Sequence, residues 1–441
     1  VNYRPFGQLR EEARQSWDEQ LDHIKVEGDK EREKLFYSLL YRTLQSPFVI
    51  SEPDGAYRAI DGSPQKAANT FYNGWAIWDN YKTQLPLLSM AYPAVYEDMI
   101  WSVTNMYLHG KKNFSTDHEP SQTVRTEHAV VVLLDAWRKG YHVNFKDIMD
   151  SLISENKRLD YSSPDKALES SYDTWALSEI LQESGRGEMA HDYRQKALNY
   201  KKYWKKDFED MSNSDVDRMG ARGMYQGTVW QYRWMVPYDV RGLIELCGGE
   251  EAFIDQLDVF FEQDYYNHAN EPDIQVPWLY HATSQPWKSE ELVRKIAIDT
   301  VHQFYFNGNS RGIDPFVGRI YKNQPKAFLR TMDDDAGAMS GWFVLAATGL
   351  SPACAGWPVY YVHVPLFRKV RLNTTSNTSL TIEVKNFDDD AFYVKEISLN
   401  GKKINRNWLT HEEISRGGVV EITASDQPFQ YVTEKWVTEI E

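Results

Sequence analysis

Cysteine is almost missing from this 441-residue chain: only Cys247 and Cys354 occur, and no CxxC pattern is present. Zinc ribbons and redox dithiols are excluded as organising features, and at most one disulfide can form. Positive charge is also scarce, with 49 Lys and Arg against 64 Asp and Glu and a net charge of −15. That balance argues against nucleic acid and against an anionic membrane surface, because both select basic patches. No apolar run approaches the roughly 20 residues needed to span a bilayer. Aromatic residues, in contrast, are plentiful, with 15 Trp and 27 Tyr. Flat rings fill cores, and they also serve as platforms for sugar rings.

Hydrophobic periodicity divides the chain into two regions. Up to about residue 350, apolar residues recur at three- and four-residue spacing, which predicts helices. The predicted helices are 9–24, 31–45, 94–108, 127–140, 143–156, 165–183, 187–206, 239–247, 288–305 and 335–348. About a dozen helices with short connections suggest pairs arranged in a ring, a mainly α toroid. Beyond Pro352, the stretches starting at Val359, Leu380, Tyr393 and Val419 alternate and are β-branched, so they read as strands. Asn400-Gly401 is a hairpin signal. The expected organisation is lead-in helices over 1–30, a toroid over 31–355 and a small C-terminal β-sandwich over 356–441.

The residues that suggest chemistry lie between the helices. Asp333-Asp334-Asp335 places three carboxylates together, and the Ala-Gly-Ala-Met-Ser-Gly-Trp that follows holds no lysine or arginine to neutralise them. Such a run needs a helix cap, a metal or proton chemistry to justify it. In an extended segment Asp333 and Asp335 point the same way and face one water molecule. Asp335 as the N-cap of a helix starting at Ala336 is the plainer alternative. Trp75-Ala-Ile-Trp78-Asp79 sets a carboxylate between rings, suited to sugar hydroxyls over an indole or to a cap beside core tryptophans. Tyr225-Gln226-Gly-Thr-Val-Trp230-Gln231-Tyr is rich in amides and aromatics, and Asn270-Glu271-Pro offers the hard oxygen ligands that suit Ca²⁺.

In order and spacing these strips resemble glycoside hydrolase family 92, the calcium-dependent exo-α-mannosidases. The resemblance runs through Phe36-Tyr-Ser-Leu-Leu-Tyr-Arg-Thr-Leu, Asp54-Gly-Ala-Tyr-Arg, Ile77-Trp-Asp-Asn-Tyr-Lys-Thr-Gln-Leu-Pro, Val236-Pro-Tyr-Asp-Val, Asn270-Glu-Pro, Trp278-Leu-Tyr, Asp333–Trp342 and Ile397-Ser-Leu-Asn-Gly-Lys. It implies an (α/α)6 toroid with a small C-terminal β-sandwich. It also implies an N-terminal β-sandwich that packs on the toroid and is absent from this chain. Asp333 and Asp335 would activate water, and Trp78 and Asp79 would bind the terminal mannose. Trp230, Gln231 and His128 would line the pocket, and Glu271 with Asn270 would hold Ca²⁺. The implied substrate is a mannose-containing glycan, and the implied location is secreted, cell-surface or periplasmic.

One position departs from the family pattern. Its acid is a glutamate, where this chain has Gln226. An amide donates a hydrogen bond but has no proton to surrender. General acid help is worth roughly 10²–10⁴-fold. Three readings follow: a mannosyl-phosphate substrate whose leaving group departs as a stable anion, an ordinary α-mannosidase with a substituted acid, or a silent mannose binder. Lys82, Ile274-Gln275 and Tyr238 also depart from the family, which favours a natural change of substrate. Lys82, Arg222 and Arg233 are candidates to meet a phosphate.

Overall fold

The computed structural model describes residues 4–109, 127–304, 314–329, 332–375, 377–430 and 434–440. Helices form where one apolar stripe can be buried: Lys30–Thr43, Pro93–Leu108, Ala129–Arg138, Phe145–Asn156, Pro164–Glu183 and Val240–Leu246. Their packing passes from neighbour to neighbour around the body. Gln84–Ala91 meets Pro93–Leu108, which meets Phe145–Asn156, which meets Pro164–Glu183. The last long helix, Ala338–Thr348, packs back on Lys30–Thr43 and Gln84–Ala91 near the start of the chain.

Several boundaries differ from expectation for local reasons. Segment 187–206 is two helices, Gly187–Ala197 and Tyr200–Asp207. Segment 288–305 leaves the helix at Ile298 and continues as strand Thr300–Gln303, where Thr300 and Val301 are β-branched. The helix expected from residue 335 starts only at Ala338. Asp335, Ala336 and Gly337 carry φ of 47°, 55° and 89°, which no right-handed helix accepts.

Every residue of Ala338–Thr348 is buried. A helix apolar on all sides belongs in an interior. Its close approach to the chain at Gln84 requires glycine, since a Cβ on Gly341 would lie 2.9 Å from the Gln84 nitrogen.

The C-terminal region holds a six-stranded and a three-stranded sheet. The first runs Ile24–Glu27, Lys369–Asn373, Ser379–Lys385, Gly418–Ser425, Tyr393–Leu399, Lys402–Ile404. Within it only Ser379–Lys385 and Gly418–Ser425 pair in parallel. The second runs Trp408–Thr410, Trp357–Val362, Leu350–Cys354. Pairing therefore crosses residues 30 and 355: Ile24–Glu27 joins the C-terminal sheet, and Leu350–Cys354 pairs with Trp357–Val362. Asn400 and Gly401 link two strands in register, both with positive φ, as a tight primed turn requires. Cys247 and Cys354 are both free and buried. Among the described residues no helix is long and apolar enough to cross a membrane.

Candidate active site

Four segments meet at the N-terminal end of the buried helix Ala338–Thr348. Thr83, just past Trp78 and Asp79, donates its hydroxyl to the Ala338 carbonyl at 2.7 Å. Trp342 donates its indole N–H to the Ile274 carbonyl at 2.7 Å, holding the Asn270–Gln275 loop. Within that loop, Asn270 Nδ2 donates to the Gln226 carbonyl at 2.6 Å. Lys82 Nζ donates to the Glu271 carbonyl at 2.8 Å. Segments 77–83, 226–231, 267–275 and 333–340 are thereby tied together although they are far apart in sequence.

The acidic run differs from an extended segment. Backbone positions 335–337 are left-handed, at a cost of about 1–3 kcal/mol for each non-glycine residue. The spacing-of-two rule therefore does not carry across Asp335. The N-cap of the helix is Gly337, with no side-chain cap of its own, so Asp335 is not the cap. Asp334 supplies that contact instead, accepting the Ser340 N–H at 2.9 Å. Burial pushes the Asp334 carboxyl up to about 6, while the Ser340 hydrogen bond and the Arg42 charge pull it back. Asp333 is exposed and Asp335 half-buried.

Asp335 meets Glu271 side chain to side chain. Burial, then this contact with Asp335 and its charge, then the charge of Asp79, push the Glu271 carboxyl well above the usual range. Asp273 is fully buried, accepts the Asn267 N–H at 2.7 Å and is likewise raised by burial. Cations do approach these carboxylates in space, since Arg42 acts on Asp334 and Lys82 stands among Glu169, Glu271, Asp273 and Asp79. Burial lowers the Lys82 ammonium to about 8 against the pull of those carboxylates. The sequence carries no signal for the approach of Arg42, which comes from the end of the distant helix Lys30–Thr43.

The remaining predicted residues fall into two groups. Trp78 is buried, donates its indole N–H to Glu169 Oε1 at 2.8 Å, and meets the exposed Tyr225 edge-on at 5.9 Å. Asp79 is half-buried beside Glu271. His128 is buried in a left-handed N-cap, paired with Asp173 at 2.7 Å and 4.6 Å from the Tyr81 ring. Gln226, exposed at φ 42°, sits on the Asn270 side. In contrast, the Gln231 amide completes a capping box with Thr228, and Trp230 stacks on Tyr265 at 5.0 Å. Arg222 is taken up by Asp215. Arg233 is buried against three indoles, at 5.2, 5.1 and 4.9 Å from Trp204, Trp230 and Trp234.

His268, two positions before Asn270, is buried and lowered to about 3 by burial. It bridges the Tyr266 and Tyr321 hydroxyls at 2.5 and 2.7 Å. Tyr321 in turn donates to the Met339 carbonyl at 2.9 Å, so this chain braces the site from behind.

The sequence matches the family model described as glycosyl hydrolase family 92 catalytic domain over residues 2–314 and 310–426. The fold superposes on a solved GH92 family glycosyl hydrolase with a TM-score of 0.90 at 25% identity, covering 99% of this chain and 65% of that one. A family GH92 inverting mannosidase from Bacteroides thetaiotaomicron VPI-5482 gives 0.83 at 24% identity, covering 98% and 64%. A family GH92 α-mannosidase from Bacteroides thetaiotaomicron in complex with mannoimidazole gives 0.81 at 22%, covering 97% and 61%. A protein of Arthroderma benhamiae named "Uncharacterized secreted glycosidase" is 28% identical over 212 residues, 47% of this chain and 24% of its own length. The chain thus spans less than two thirds of the length of each of these relatives.

Proposed function

Because the chain belongs to glycosyl hydrolase family 92, matched over residues 2–314 and 310–426, we propose that it is an inverting, calcium-dependent exo-α-mannosidase, and that its preferred bond joins mannose α to phosphate. The observation that carries this reading is the side-chain contact of Asp335 with Glu271 beside Asp79. A buried carboxyl in contact with a second, half-buried one must share a proton or a cation with it.

The donors there are hard oxygens, as Ca²⁺ requires. Among the described residues, no three His, Cys, Asp or Glu side chains stand in metal-holding geometry. Glu271 and Asn270 would hold the ion, with amide, water and sugar oxygens filling the remaining positions. When bound, the ion supplies chelation of two neighbouring mannose hydroxyls.

The protein's own groups do the rest. Asp335 takes the proton of the attacking water, with Asp333 as the second carboxylate that activates it. Trp78 and Asp79 bind the terminal mannose, with His128 on the same wall. Trp230 and Gln231, engaged by Tyr265 and by the Thr228 capping box, support the Gln226 turn from behind. Gln226 faces the leaving group, where its amide hydrogen-bonds the departing oxygens but surrenders no proton. A phosphate departs as a stable anion and needs none. A neutral amide also spares that phosphate the repulsion a glutamate would exert.

An N-terminal β-sandwich is the expected partner of the helical body. A secreted, cell-surface or periplasmic site of action goes with this reading, and the secreted relative supports it. The test is proton NMR of 4-nitrophenyl α-mannoside hydrolysis, with and without chelator. β-Mannose should appear first, and chelation should stop the reaction until calcium is restored. α-Mannose as first product, or indifference to chelator, contradicts the proposal.

A further inference from the structure

Glu169 and Asp173 lie one turn apart on the helix Pro164–Glu183, so they share a face. Both are buried, at 9% and 7% exposure. Glu169 Oε1 accepts the Trp78 indole N–H at 2.8 Å. Asp173 Oδ1 pairs with His128 Nδ1 at 2.7 Å. Trp78 and His128 sit at the starts of two different short elements, Ile77–Asn80 and Ala129–Arg138, that this helix face reaches together.

The residue types say more than packing requires. A buried carboxylate costs several kcal/mol unless it is well paired, and a neutral carbonyl would satisfy an indole N–H at lower cost. An ionised acceptor makes a shorter, stronger hydrogen bond and so defines a ring's orientation more tightly. For the imidazole, donation from Nδ1 to Asp173 leaves Nε2 as an acceptor. That nitrogen is buried without a partner among the described residues. Glu169 is also the foremost of the carboxylates acting on Lys82, whose ammonium holds the Glu271 carbonyl.

We propose that Glu169 and Asp173 are positioning residues: acting through Trp78 and His128, they set the wall against which the terminal sugar is bound. This inference rests on the mannoside reading above. Because they act through the two rings and not on the reacting atoms, the expected signature is a change in KM with kcat largely kept.

The test compares Glu169→Ala with Glu169→Gln, whose amide oxygen still accepts the indole N–H, and Asp173→Ala with Asp173→Asn. Alanine should raise KM for 4-nitrophenyl α-mannoside roughly tenfold or more, and the amides should recover most of that loss. A cycle with Trp78→Phe, which lacks the N–H, guards against misfolding of the alanine variants. If Glu169 acts through Trp78, adding Glu169→Ala to Trp78→Phe changes KM no further. Independent, multiplying effects in that cycle, or alanine and amide variants with wild-type KM and only lowered Tm, overturn the inference. Failure of the wild type to hydrolyse any α-mannoside counts against the proposed function instead. In that event the same variants are compared by methyl α-mannoside binding, read from tryptophan emission, with the same outcomes deciding.

Discussion

The Lys82 ammonium holds the backbone carbonyl of Glu271 at 2.8 Å, so a residue four positions from Trp78 fixes the loop that carries Asn270 and Glu271. The same cation stands in the field of Glu169, Glu271, Asp273 and Asp79. Lys82→Met keeps the volume but removes both the donor and the charge. The expected outcome is a fall in kcat/KM of about 10²-fold, the scale of a misplaced site loop. Measurement at saturating calcium separates this loss from any change in metal affinity.

Asp335 is expected to be indispensable to turnover. Asp335→Ala should lower kcat by roughly 10²–10⁴-fold, the span of a lost general base. It should also relieve Glu271, whose carboxyl is raised by burial and by Asp335. Thermal unfolding of this variant should be no earlier than that of the wild type, checked by calorimetry without calcium.

Acid should weaken the protein through His411. Burial, with the Lys139 charge adding, lowers this imidazole from 6.5 to about 3. The unfolded chain therefore takes up a proton that the folded chain refuses, so this contribution is whole above pH 6.5 and is lost as pH falls towards 3. Between pH 7 and 4 the loss is roughly 3 kcal/mol. His411→Asn should lose less stability over the same step, as read from urea unfolding at the two pH values. Equal losses would contradict the assignment.

Gly341→Ala tests the packing of the central helix. The new Cβ would lie 2.9 Å from the Gln84 nitrogen, a backbone atom that cannot swing aside. Overpacking of this kind costs about 1–3 kcal/mol, and a Tm lowered by several degrees is the expected readout.

Much of this arrangement was legible in the sequence. Amphipathic stripes located the helices Pro93–Leu108 and Pro164–Glu183, and alternation located the strands Ser379–Lys385 and Tyr393–Leu399. Gln84–Ala91 escaped notice because it is buried on every side and has no polar stripe. Glu250–Glu262 did carry a helical stripe in Phe253, Ile254, Leu257 and Phe260, which went unread. Strand Ile24–Glu27 is four residues long, and its partner, Lys369–Asn373, lies near the other end of the chain.

At the site, motif spacing singled out segments that do meet, including Trp78, Gln226, Glu271 and Asp335. Lys82 stood out as a candidate for a phosphate, but its hold on the Glu271 loop and the approach of Arg42 to Asp334 were illegible, since these contacts join segments far apart in the chain. The left-handed turn at Asp335–Gly337 was legible only in part. Gly337 is a local mark of positive φ, but Ala336 carries none, so the length of the left-handed run could not be read.

The central claim is that no acid assists the leaving group opposite Asp335, because Gln226 occupies that place. Its most direct measurement is the ratio of turnover of α-mannosyl phosphate to that of α-1,2-mannobiose, in the wild type and in Gln226→Glu. The wild type should cleave the phosphate and leave the disaccharide at least about 10²-fold behind, with Gln226→Glu closing the gap from both sides. Wild-type cleavage of mannobiose as fast as mannosyl phosphate would contradict it.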